Sequence, residues 1–164
     1  MPRYNPQGQT RVYWVTTLSA PTAPTVAQIA AGVRLDPFIV PDSISGFTAE
    51  GQSIDSTDLA STESESLPGL ATTTNGAITC YRGNTAGDAE ADLLDDFNAD
   101  LVAHTSGWVV FVLNGAPAAT KLADVWPAQV NSVNPTPPAG GTAGRFTVGF
   151  THPAKAQINV AIAA

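Results

Sequence analysis

The sequence predicts a mainly β domain of the α+β class, a β-sandwich or barrel of short antiparallel strands flanked by one amphipathic helix. Three observations carry this. Thirteen prolines and fourteen glycines in 164 residues suit many short strands and turns better than a helical bundle. One segment alone, between Gly87 and Gly107, repeats its apolar residues at the spacing of a long helix. The C-terminal runs Arg145–Thr151 and Lys155–Ile162 alternate apolar with polar residues, as half-buried strands do. A chain of this length buries roughly 70% of its unfolded surface, so residues 1–164 are read as one domain.

Residues 1–10 are polar, carry Pro2 and Pro6, and read as a flexible N-terminal arm. Arg11–Leu18 is rich in β-formers. After a proline-stiffened connector, Ala27–Gly32 reads as a single helical turn closed by Gly32. Val33–Val40 is a second strand, interrupted by Pro37 in the manner of an edge or bulge. Residues 41–74 are dominated by Ser, Thr, Asp, Glu and Gly, with apolar points at Ile44, Phe47, Ile54, Leu59, Leu67 and Leu70. Disorder is the competing reading there. The spaced apolar residues favour a long loop or hairpin folded against something else, and structureless loops of this length are uncommon and usually functional.

Ala77–Arg82 is the strand entering the helical unit. The helix is expected to start after Gly87, with Asp88 as N-cap and Glu90 facing the positive end of its dipole, and to stop near Gly107. Leu93, Leu94, Phe97 and Leu101 fall on one arc with Ala89 and His104 at its margin, while Asp88, Asp92, Asp95 and Asp96 gather opposite. Trp108–Leu113 has no polar side and is expected to be covered on both faces. Leu122–Val133 is a strand carrying Trp126 and bent by Pro127, and residues 134–144 form a Pro/Gly loop. Phe146, Val148 and Phe150 share one face of the next strand; Ala156, Ile158, Val160 and Ile162 share one face of the last. With His152-Pro153-Ala154 between them, the two read as a closing hairpin.

Charge and chemistry narrow the function. Net charge is −7, and charged residues make up 13% of the chain, about half the usual share. So uncharged a surface suits broad contact with other subunits. From Asp42 to His104 twelve acids face Arg82 alone, which leaves no basic footprint for gripping nucleic acid. Cys80 is the sole cysteine, so no intrachain disulfide forms. The N-terminus lacks a signal-peptide core and no apolar run is long enough to span a membrane, which makes a cytosol-like compartment the default. Cys80 with His104 or His152 is the one nucleophile–base arrangement available in principle, and each residue has a simpler packing or capping role. The helix spaces its acids along a solvent face without a calcium-loop pattern, and Gly140–Gly144 lacks a phosphate-loop ending. No catalytic, cofactor or metal residue is assigned.

Several blocks carry a resemblance. They are APTAPTVAQIAAGVRL, the acidic Ser/Thr stretch ending in Leu67-Pro68-Gly69, and AITCYRG ahead of the acidic helix. The last is Asp124-Val125-Trp126-Pro127-Ala128-Gln129-Val130 followed by PTPPAGGTAGRFTVGFTHPAKAQINVAIA. In this order they cover most of the chain, which resembles the major tail (tail tube) proteins of long-tailed, siphovirus-type phages, especially those of actinobacteria. The resemblance implies a structural virion protein, not an enzyme, that assembles in the host cytoplasm. Six copies would close a ring, and rings would stack into the hollow tail through which DNA is ejected without specific binding. Its partners would be itself and the tape measure, tail terminator and distal tail proteins, with no membrane involved. In that frame Ile44, Phe47, Ile54 and Leu59 are the expected inter-subunit contacts of the long segment, and Glu50, Asp55, Asp58, Glu63 and Glu65 the candidate lumen acids. The rival reading is a monomeric β-sandwich binding module, such as an adhesin, a carbohydrate-binding domain or a capsid decoration domain.

Overall fold

The computed structural model describes residues 9–55 and 66–164, with the backbone alone described at 52–55 and 66–72. At its centre Ser106–Val112, Arg11–Val15 and Leu122–Thr136 run side by side, Ser106–Val112 in the middle. The middle strand is apolar on both sides because it separates two cores. Val109 and Phe111 point into a large cluster with Trp14, Ile78, Cys80, Phe97, Trp126, Phe146 and Phe150. Trp108, Val110 and Val112 point into a smaller one with Tyr13, Val15, Ile29, Val125 and Ile162.

In chain order the elements are β1 (Arg11–Val15), α1 (Val26–Ala30), β2 (Val33–Arg34), β3 (Ile39–Ser45), β4 (Ala49–Asp55) and β5 (Ser66–Thr73). They continue with β6 (Gly76–Tyr81), α2 (Ala89–Ala103), β7 (Ser106–Val112), β8 (Leu122–Thr136), β9 (Arg145–Thr151) and β10 (Gln157–Ala161). The main sheet runs β2-β1-β7-β8-β9-β6-β3, with β10 also on β8, and every pairing is antiparallel. β4 and β5 make a separate two-stranded sheet. The mainly β architecture with helices beside it is therefore the one the sequence predicts.

The strand expected over Val33–Val40 is two strands at opposite ends of the sheet. A turn through Asp36, Pro37 and Phe38 divides them, since proline neither donates to a ladder nor follows a helical residue easily. The Leu35 amide donates to Val12 of β1, and the Tyr81 amide of β6 donates to Phe38, each at 2.8 Å. Residues 35–38 thus span from one end of the sheet to the other. Because extended chain covers at most about 3.6 Å per residue, the sheet must roll until its ends almost meet.

α2 packs on the large core. Leu93, Leu94 and Phe97 are buried, Leu101 packs at the margin, and Asp92, Asp95 and Asp96 are exposed. Both of its ends differ from expectation. Asp88 holds the N-cap position, yet its carboxylate accepts from the Thr85 amide at 3.2 Å and not from the helix. The C-terminal residue is His104 in the left-handed conformation (φ 53°), not Gly107. Gly107 lies inside β7, where a Cβ would stand 2.7 Å from the Val15 carbonyl oxygen and 2.9 Å from the Trp14 ring. Its lack of a side chain serves strand packing.

β9 and β10 do not form a hairpin with each other. Both pair antiparallel with the same edge of β8, so one continues the other. Between Gln129↔Thr151 and Val125↔Gln157, three residues of β8 face the five residues that link β9 to β10. Pro127 and Pro153 both fall in this gap and neither has an amide to donate, so the ladder breaks and then resumes. A second irregularity places Asn159 at φ 58°, its amide donating to Asp124 Oδ1 at 2.7 Å. This turns Ile158 outward to 54% exposure, while Ala156 and Ile162 stay buried. The single apolar face expected for these residues is therefore split.

Candidate functional site

The groups that chemistry would use are placed apart from chemistry. Cys80 is buried in β6 opposite Ile39, and burial pushes its thiol up to about 12, so it stays a neutral apolar side chain. His104 is an exposed helix cap whose carbonyl accepts from Gln129 Nε2 at 2.9 Å. His152 donates from Nδ1 to the Pro127 carbonyl at 2.8 Å. Among the described residues no group of three or more His, Cys, Asp or Glu could hold a metal ion. No described helix is long and apolar enough to cross a membrane.

Acids on α2 divide by face. Asp100, one of the twelve acids between Asp42 and His104, accepts from Trp14 Nε1 at 2.9 Å and ties helix to β1. No sequence spacing links residues 86 positions apart. Asp36 binds Arg11 and Arg34, each at 2.8 Å, and these are the ion pairs among the described residues. Burial raises the Asp36 carboxyl, but the hydrogen bonds from Arg34 and Arg11 outweigh it and hold the group below the usual carboxylate range. Asp92, Asp95 and Asp96 on the outer side of α2 have no such partner.

The long segment that the sequence marked as the contact region holds most of β3 and the β4–β5 pair, joined from Ala49↔Thr73 to Asp55↔Ser66 with a register shift between Gly51 and Ser53. Ile44 sits on β3, a terminal strand of the sheet, opposite Ile78 and 40% exposed. Phe47 does something else: its ring packs into the subunit's own large core, against Phe111, Trp126, Phe150 and His152. Ile54 pairs with Leu67 through the backbone. Glu50 is exposed on β4 opposite Thr72, and Asp55 ends that strand. Leu59, Asp58, Glu63 and Glu65 lie outside the described residues. Val33, Val102, Leu122 and Ile158 are further exposed apolar side chains.

The arrangement is that of a scaffold. It has a sheet with terminal strands, a separate two-stranded sheet and apolar points on the surface, while Cys80, His104 and His152 serve packing and capping. No curated protein matches the chain in sequence. Solved structures share its fold. A chain from the sheath/tube terminator of the PVC extracellular contractile injection system, in the extended state, matches with a TM-score of 0.65 at 12% identity, covering 98% of this chain and 99% of that one. A chain of the anti-feeding prophage baseplate, 6-fold symmetrised, matches with a TM-score of 0.62 at 11% identity, covering 98% and 97%. A chain from the tail of an empty GTA particle with C6 symmetry gives 0.59 at 11% identity, covering 96% and 100%. The family model for phage tail tube proteins matches residues 1–164. The chain therefore belongs to the phage tail tube protein family, as a structural protein of the virion tail.

Proposed function

We propose that six copies of this chain close a ring and that rings stack into the hollow tail tube, with β4–β5 and its connecting residues joining neighbouring copies. The observation that carries the reading is β4–β5 itself. An isolated two-stranded sheet is marginally stable in water, and this one pairs with no other described strand of its own subunit. Paired with another copy, its open edges would be satisfied and no longer a liability. Ile44, Ile54 and Leu59 would supply apolar contacts, whereas Phe47 would act from inside its own subunit.

Glu50, Asp55, Asp58, Glu63 and Glu65 are proposed to face the lumen, where like charge would keep passing DNA from being held. The chain would have no enzymatic activity. It would assemble in the host cytoplasm and meet the tape measure, terminator and distal tail proteins at the ends of the tube. The sequence blocks described above support a siphovirus-type tail of an actinobacteriophage, although the fold is shared with contractile injection systems.

Negative-stain microscopy of the purified, concentrated chain tests the reading. Rings or tubes with an open channel are expected. A protein that stays monomeric at high concentration would instead be the β-sandwich binding module of the rival reading.

A further inference from the structure

β4–β5 has to be held at its root. Gly46, with φ 76°, enters the pair so close to β6 that a Cβ there would stand 1.9 Å from the Asn75 carbonyl oxygen. The Thr74 hydroxyl donates to the Gly46 carbonyl at 2.8 Å and lies 2.9 Å from the Thr48 hydroxyl. These bonds are exposed and therefore fix little by themselves. One step from Gly46, the Phe47 ring enters a cage of Phe111, Trp126 and His152 with centroids at 5.1, 5.8 and 5.2 Å, all edge to face, and Phe150 at 6.2 Å.

The cage has been left room for this ring. Gly76 forms one wall, and a Cβ on it would lie 2.8 Å from Phe47 Cζ and 2.9 Å from His152 Nε2. The other nitrogen of His152 is fixed on the Pro127 carbonyl in the gap of β8, while Nε2 is buried without a hydrogen-bond partner. An imidazole held that way presents its ring to Phe47 as part of the wall. Rigid aromatic rings meeting edge to face define an orientation as well as an energy.

We propose that Phe47 is the positioning residue of β4–β5: its caged ring sets the direction in which the two strands leave the rolled sheet, and so makes the subunit competent to join another copy. The inference rests on the reading that β4–β5 is the joint. It assigns Phe47 to holding the joint in place and leaves the contact itself to other residues.

The test uses the full chain in four forms: wild type, Phe47→Ala, Phe47→Leu and Gly76→Ala. Amide hydrogen exchange compares β4 and β5 with β7, and microscopy counts tubes at a temperature well below each thermal midpoint. In Phe47→Ala, exchange in β4 and β5 is expected to rise about tenfold or more while β7 stays protected, and tubes are lost. Gly76→Ala keeps the Phe47 side chain but crowds its ring out of the seat, and is expected to do the same. Phe47→Leu, which refills most of the cage, is expected to recover most tubes. Exchange that rises equally in β7 and β4–β5 would overturn the proposal, because Phe47 would then be ordinary core. Wild-type tube formation by Phe47→Ala would also overturn it, while absence of tubes from the wild type would overturn the assembly reading beneath it.

Discussion

Replacing Phe97 with Ala tests whether α2 is part of the fold or an ornament on it. Phe97 is 2% exposed at the middle of the helix's buried face, between Leu93, Leu94 and Leu101. Its ring meets Trp14 at 6.2 Å and Phe150 edge to face at 6.1 Å. Truncating a buried Phe costs about 3–5 kcal/mol, and the two aromatic pairs, worth ~0.5–1.5 kcal/mol each beyond area, place this site in the upper part of that range. A domain of this length loses about 2–4 °C of thermal midpoint per kcal/mol, so a fall of about 8–20 °C is expected. Circular dichroism on the dispersed subunit is the assay, at a concentration below assembly, because association would add its own stabilisation. Asp95→Ala on the exposed side of the same helix serves as control and should shift the midpoint by no more than about 2 °C. If Phe97→Ala melts with the wild type, the helix contributes nothing to the core and the packing argument is wrong.

Four further outcomes follow from the structure. Iodoacetamide at pH 8 should leave Cys80 unmodified in the native subunit and label it in denaturant, since burial holds the thiol at about 12; native labelling at the rate of a free thiol would contradict this. Asp36→Asn should lower stability at neutral pH by removing the charge that pairs with Arg11 and Arg34 and one of the two oxygens that accept from them. Because the folded carboxyl titrates below its unfolded value of about 3.9, the wild-type advantage should be full above that pH and vanish as pH falls through the folded value; denaturant titrations from pH 7 to pH 3 would show an unchanging gap if the clamp were inert. Gly107→Ala should cost about 1–3 kcal/mol, because its Cβ meets the Val15 backbone, and a wild-type midpoint would show that β1 and β7 can part freely. Replacing 49–73 with a short Gly/Ser linker should leave a folded, soluble subunit without tubes, since loop closure costs little, and tubes from that chain would remove β4–β5 from the joint.

How far the sequence reached depends on the range of the interaction. The buried face of α2, the double-sided β7 and the alternation of β9 follow from periodicity, a property of neighbours in the chain. The left-handed cap does not, because His104 carries a conformation that glycine would adopt at less strain, and Gly107 stood three residues on as the better guess. Nor does the continuity of β9 and β10. Two prolines facing each other across a gap only acquire meaning once β8 is known to lie opposite. The Trp14–Asp100 bond joins residues far apart in sequence: helical spacing puts Asp100 seven residues after Leu93 and three after Phe97, at the edge of the buried arc, but no local pattern names Trp14 as its partner. Phe47 shows the same limit at the candidate site. A lone Phe between Gly46 and Thr48 in a polar stretch has no period to declare a face, so it read as a contact for another molecule when its cage comes from four other segments.

The rolled sheet explains why the remaining signals all pointed outward. Residues 35–38 bring the two ends of the sheet together but leave β2 two residues long and β3 with a bulge between Ile39 and Ile44. Short or bulged terminal strands are a common defence against uncontrolled pairing. β4–β5 keeps more open edge: strands of seven and eight residues, with one bulge between Gly51 and Ser53, pair among the described strands only with each other. A monomeric protein gains nothing from keeping that sheet projecting while protecting its other edges, and Gly46, Gly76 and the Phe47 cage keep it there. A subunit that must pair at one place and resist pairing elsewhere needs this asymmetry, and a tube made of many identical copies needs it most, since each uncontrolled edge would be repeated in every subunit.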